Sequence, residues 1–105
     1  MLKLDQICEK PTVDHAREYL NVPTKDSDEN YYAVFGQYIL TSEVFDNLEK
    51  NIKNNLLENN EIQLTTALEQ TRASSGMIGL LIDGKSYDVG LPEAYVKTLS
   101  EYGVI

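Results

Sequence analysis

The stretch Met77-Ile78-Gly79-Leu80-Leu81-Ile82-Asp83-Gly84-Lys85-Ser86-Tyr87-Asp88-Val89-Gly90-Leu91-Pro92 reads as strand, tight turn, return strand and helix start. Met77 to Ile82 is a short apolar run bounded by turn signals, the pattern of a buried strand. Asp83-Gly84 is a strong two-residue hairpin signal, because a type I′ turn needs positive φ at both central positions. Lys85 to Val89 is then the return strand. Gly90 closes it, and Pro92 opens a helix at the first-turn position that proline favours. Ala94, Tyr95, Leu99 and Tyr102 would form that helix's inner face.

Working outward, Ser74-Ser75-Gly76 breaks a helix expected over Glu61 to Ala73, with Ile62, Leu64, Ala67 and Leu68 turned inward. Before it, Thr41 or Ser42 caps a helix whose Val44, Phe45, Leu48, Ile52 and Leu56 recur at three- and four-residue spacing. Asn54, Asn55, Asn59 and Asn60 fray its end. Tyr31 to Leu40 is rich in aromatic and β-branched residues and reads as a strand, and Gly36 within it marks a bulge or a close backbone approach. Asn21 to Asn30 is a solvated loop holding Pro23 and a polar run. Thr12 caps a short helix from Val13 to Leu20. Leu2 to Glu9 is the first strand, ended by Pro11. The order β-α-β-α-α-β-β-α is α/β, or α+β as an isolated piece.

The 105 residues suit a single domain, 1–105. A hydrophobic content of 42% with 25% charged residues is that of a globular chain. Nine basic against seventeen acidic side chains give a net charge of −8. With two arginines far apart, Arg17 and Arg72, there is no cationic track for a phosphate backbone, so nucleic acid is not an expected partner. The same acidity disfavours an anionic membrane surface, and no run approaches the length of a membrane span. Cys8 is the single cysteine, read as a small buried apolar residue in the first strand. The chain is expected to be cytoplasmic.

On residue chemistry alone few positions carry function. His15 has no recognisable catalytic partner and reads as a solvated surface histidine. Asp26, Asp28 and Glu29 lack the spacing and the glycine of a calcium loop. Glu9-Lys10-Pro11 stands at a strand end, where α/β sheets bind ligands. There a lysine can meet a phosphate and a glutamate can accept sugar hydroxyls, although a surface ion pair has the same sequence. Asp88 also stands at a strand end, as a candidate magnesium ligand or a turn carboxylate.

Four motifs then occur in order: Glu9-Lys10-Pro11, Ala33-Val34-Phe35-Gly36-Gln37-Tyr38-Ile39-Leu40-Thr41, Glu61-Ile62-Gln63-Leu64-Thr65 and Gly84-Lys85-Ser86-Tyr87-Asp88-Val89-Gly90. Together, over nearly the whole chain, they resemble the carboxy-terminal part of sugar-1-phosphate nucleotidylyltransferases, bacterial UTP–glucose-1-phosphate uridylyltransferases above all. The resemblance implies a transferase that joins UTP and glucose 1-phosphate into UDP-glucose and pyrophosphate. It implies the trailing section of a Rossmann-like nucleotide-diphospho-sugar transferase domain. By the family pattern Glu9 would hydrogen-bond the hexose and Lys10 would hold its phosphate. Gly36 would let the sugar approach the backbone, and Asp88 would be one of two Mg²⁺ carboxylates. Glu61 to Thr65 is expected only to start and pack a helix. Gln37 stands where the family often has a basic residue, and Thr66 where it often has Asp.

The family's Gly-rich nucleotide loop and second metal carboxylate lie outside these 105 residues. The chain is therefore expected to supply the sugar-phosphate side, to meet nucleotide only with the missing half, and not to catalyse alone. The alternative is a stand-alone non-catalytic sugar-phosphate-binding or assembly module. An incomplete domain exposes a sheet edge, so a homo-oligomer built on Met77 to Ile82 is a further expectation.

Overall fold

In the computed structural model, which describes residues 1–103, the elements in chain order are β1 (Leu2–Lys3), α1 (Val13–His15) running on into a π-helical stretch (Ala16–Leu20), α2 (Ser42–Lys53), α3 (Leu64–Ser75), β2 (Ile78–Gly79) and α4 (Pro92–Tyr102). The structure is thus a mixed helix-and-sheet arrangement. Helix positions follow the sequence closely. Thr12 caps α1, its hydroxyl accepting from the His15 N–H at 3.2 Å. Pro92 opens α4, where its missing N–H costs nothing.

The centre of the protein is the α2–α3 pair. Three polar links fix its antiparallel sense. Glu43 at the start of α2 accepts from Ser74 and Ser75 at the end of α3. Asn47 Nδ2 donates to Thr71 Oγ1 at 2.9 Å. Asn51 and Gln70 exchange amide hydrogen bonds of 2.9 and 3.0 Å. Asn51 is buried, and this reciprocal pairing answers the cost of taking its amide out of water. Along the seam Val44, Ala67 and Leu68 are the buried apolar residues, with Ile7, Leu40, Leu48 and Met77 packed against them.

The expected stripe on α2 is therefore split. Val44, Leu48 and Asn51 follow i, i+4, i+7 and face α3, whereas Phe45 and Ile52 lie about 100° further round and are exposed. Leu56 falls beyond the helix end. There Asn55, Asn59 and Asn60 take positive φ, a conformation asparagine tolerates better than most residues. These asparagines shape the connection to α3 rather than fraying a helix. On α3, Ala67 and Leu68 are inward as expected, but Leu64 is exposed.

The sheet departs most from expectation. The first strand shrinks from Leu2–Glu9 to Leu2–Lys3, pairing antiparallel with β2 as Leu2↔Gly79 and Lys3↔Ile78; Leu4 N–H to Met77 O at 2.9 Å continues the contact. The expected strands at Tyr31 to Leu40 and Lys85 to Val89 are not formed, and the hairpin at Asp83-Gly84 is absent, since neither residue has positive φ. Among the described residues, residues 31–40 and 80–89 make no backbone–backbone hydrogen bond with other segments. Strand-forming composition needs a neighbouring ladder, and two short strands alone are marginal. Tyr95, Leu99 and Tyr102, expected to face inward from α4, are exposed as well.

The accessible surface is 8717 Å², whereas folded monomers of this mass expose about 5,900 Å². The radius of gyration is 16.4 Å, against about 13 Å for a compact domain of this length. Among the described residues no helix is long and apolar enough to cross a membrane.

Candidate functional site

Glu9 and Lys10 emerge where the first segment leaves the helix pair, and α3 holds that segment at two points. The Ile7 N–H donates to Glu69 Oε2 at 2.8 Å. The Thr65 hydroxyl donates to Glu9 Oε2 at 2.6 Å. Thr65 and Glu69 are four residues apart, so they share one face of α3. Glu69 is itself clamped by Arg72, which donates from Nε and Nη2 at 2.8 Å each. Burial pushes the Glu69 carboxyl up, but the bonds from Arg72 and the Ile7 N–H outweigh it and hold the group below its ordinary value.

Lys10 follows with φ of 42°. A lysine in the left-handed region, directly before a proline, sits in sparsely populated backbone space worth about 1–3 kcal/mol of strain. Its side chain is exposed and joins no salt bridge among the described residues. Glu9 is tied to Thr65 and not to Lys10, so the two charges form no turn ion pair. Cys8 between Ile7 and Glu9 is half-buried and outside any strand. Burial pushes its thiol up, and the nearby Glu58, Glu69 and Glu9 push it the same way. It is no activated nucleophile. His15 is half-buried rather than fully solvated, its ring tilted 44° against Tyr19 at 4.9 Å between centroids, with Gln6 Nε2 3.2 Å from its Nε2.

Asp88 belongs to a second locality, built from residues 85–102. Its Oδ1 accepts the Gly90 N–H at 2.8 Å, a short side-chain turn before α4. The Thr98 hydroxyl is shared between the carbonyl oxygens of Asp88 at 3.0 Å and Ala94 at 2.8 Å. Lys85 Nζ pairs with Glu101 at 2.6 Å and lies 5.5 Å above the Tyr87 ring. Lys85, Tyr87, Asp88, Lys97 and Thr98 line an open hollow of roughly 370 Å³. A larger hollow, between Pro92 and Glu101 on α4, contains none of the four candidates.

Gly36 stands in a third place. Its φ of 69° favours glycine, but no atom of the described residues lies within 4 Å of where a Cβ would sit. It therefore marks a bend in an unladdered segment, not a bulge within a strand. No hydrogen bond or ion pair among the described residues links Glu9 or Lys10 with Gly36 or Asp88. No three His, Cys, Asp or Glu side chains among the described residues are grouped to hold a metal. Asp88 nevertheless keeps Oδ2 free of donors among the described residues, which suits Mg²⁺, an ion that takes one or two carboxylates and completes its shell from phosphates and water.

Thr65 was not expected at the site. Its signal in the sequence is the Thr65/Glu69 spacing on one helix face, which becomes informative only once residues 7–9 are known to cross that face.

The nucleotidyl transferase family profile matches residues 2–103. The chain belongs to this family. It is 34% identical over 88 residues to the UTP–glucose-1-phosphate uridylyltransferase of Staphylococcus epidermidis (strain RP62A), covering 84% of this chain and 30% of the relative. It is 35% identical over the same length to the enzyme of that name from Staphylococcus haemolyticus, again covering 84% and 30%. UTP–glucose-1-phosphate uridylyltransferase 2 of Staphylococcus saprophyticus is 31% identical over 87 residues, 83% of this chain and 29% of the relative. The chain thus spans about three tenths of the length of the curated relatives it matches. No solved structure matches it.

Proposed function

We propose that this nucleotidyl transferase family chain provides the sugar-1-phosphate side of a UTP–glucose-1-phosphate uridylyltransferase site. The observation that carries the reading is the end of the first segment, where a strained, exposed Lys10, in no salt bridge among the described residues, adjoins a Glu9 already oriented by Thr65. Lys10 meets the sugar phosphate as a point charge. Glu9 Oε1, which Thr65 leaves free, accepts a hexose hydroxyl. Gly36 gives the sugar a stretch of backbone without side chain. Asp88 takes one position on Mg²⁺, which supplies charge neutralisation on the phosphates when bound.

The nucleotide is engaged by the part of the relatives that this chain does not cover. In the assembled site Lys10 and Asp88 face one ligand, with Glu9 and Gly36 bordering it. A reduced, cytoplasmic compartment suits the single free thiol. A second reading, an assembly module, draws on the large exposed surface.

The test is calorimetric titration with glucose 1-phosphate at low ionic strength. Weak, salt-sensitive binding that Lys10→Ala abolishes is expected, since one lysine in an acidic chain is easily screened. Asp88→Ala should alter binding only when Mg²⁺ is present. Mixed with UTP and glucose 1-phosphate, the chain alone should release no pyrophosphate. Turnover near an ordinary enzyme's rate of about 1–10³ s⁻¹, or binding indifferent to Lys10, would overturn the proposal.

A further inference from the structure

Thr65 lies in the one family-like motif to which the sequence assigned no chemistry. In the structure its hydroxyl is the only side-chain donor on the Glu9 carboxylate among the described residues, at 2.6 Å, across 56 positions of chain. A bond of that length to a carboxylate is charge-assisted and directional. It consumes one oxygen, Oε2, and fixes where the other points. Four residues on, Glu69 holds the backbone of the same segment through the Ile7 N–H, so both the main chain and the Glu9 side chain are registered to one face of α3. Thr66, the next residue, is used elsewhere, its hydroxyl donating to Glu58 at 2.5 Å. The two adjacent threonines therefore have separate partners.

We infer that Thr65 is a positioning residue that orients Glu9 for hexose hydroxyls, and so governs recognition of the sugar but not of the phosphate. The inference rests on the proposed sugar-phosphate role of Glu9 and Lys10. Its physical basis is the division of labour between the two side chains. Lys10 needs only proximity to an anion, whereas a carboxylate accepting from a hydroxyl needs a set direction. Without Thr65 the carboxylate samples several rotamers, and ordering one of them on binding weakens the complex.

The experiment titrates the 105-residue chain separately with glucose 1-phosphate and with inorganic phosphate. Thr65→Val, close to isosteric but lacking the donor, should weaken glucose 1-phosphate about tenfold, as expected for one lost hydrogen bond to a charged group. Phosphate affinity should not change. Thr65→Ser should restore the sugar ligand. In a Glu9→Gln background, Thr65→Val should have little further effect, a non-additivity that a purely structural threonine would not produce. Thermal melts monitor folding, and Thr65→Ala carries the same comparison if valine is not accommodated. Equal loss of both ligands in a folded variant, or unchanged sugar binding without Thr65, overturns the inference alone. Wild-type binding of phosphate with no preference for glucose 1-phosphate, or no binding of either, overturns the functional reading and this inference with it.

Discussion

Leu68→Ala tests whether the α2–α3 seam is the stabilising centre. Leu68 is 1% exposed and is packed with Val44 and Ala67. The substitution removes three carbon groups, each worth about 0.8 kcal/mol on burial, or roughly 2.4 kcal/mol together. A cavity cost adds to this, but the neighbours Leu48, Met77, Ile7 and Leu40 are only partly buried and can move inward. The expected loss is therefore about 2.5–3.5 kcal/mol, in the lower part of the range for such truncations. So few fully buried residues place the chain near the lower end of domain stability, about 5 kcal/mol. Tm should fall by about 10–25 °C. Urea titration followed by circular dichroism at 222 nm reads the change, with Phe45→Ala as the exposed control, expected within about 0.5 kcal/mol. A loss below about 1 kcal/mol for Leu68→Ala, or equal losses for the two variants, would refute the assignment of the core.

Gly76→Ala should cost about 1–3 kcal/mol, because φ 80° and ψ 162° belong to a region that side chains avoid. Gly84→Ala should stay within about 0.5 kcal/mol, since among the described residues a Cβ there meets only Ile82 Cγ2 at an ordinary 3.7 Å; chemical denaturation that reverses this ranking would place a left-handed turn at residues 83–84 instead. Stability should decline in acid, because Glu69 is held below its unfolded value of about 4.3. Its contribution is complete above that pH and disappears as pH falls through the lower folded value; Glu69→Gln should flatten that limb of urea midpoint against pH, and an unaltered limb would show that the Arg72 clamp contributes nothing.

What the sequence disclosed depended on the range of the forces involved. Helices were legible because capping, spacing and proline act within a few residues: Thr12, Thr41 and Pro92 mark the starts of α1, α2 and α4. Strands were legible only as potential. Tyr31 to Leu40 has the composition of a strand, but a ladder is a property of two segments, and this one has no partner among the described residues. Asp83-Gly84 was misread for the same reason, since a hairpin turn persists only when its flanks pair. Which face of α2 packs was also hidden. Val44 and Phe45 are equally apolar candidates, and the choice is made by Asn47 and Asn51 finding Thr71 and Gln70. At the candidate site, Glu9 and Lys10 could be named from residue type and place. That Thr65 would bind Glu9 could not, because nothing local connects positions 56 residues apart.

Two uncharged, apolar-rich runs also govern how this protein keeps in solution. Residues 31–42 and 77–82 contain neither a charged side chain nor a proline, and uncharged, β-prone runs of this kind are the raw material of cross-β stacking. Asp28, Glu29 and Glu43 border the first run, and Asp83 and Lys85 follow the second. These charges act as gatekeepers that make stacking of like segments electrostatically costly. With a net charge of −8, repulsion between copies opposes stacking, so concentrated salt, which screens it, and mild acid, which removes charge, should each lower the chain's solubility.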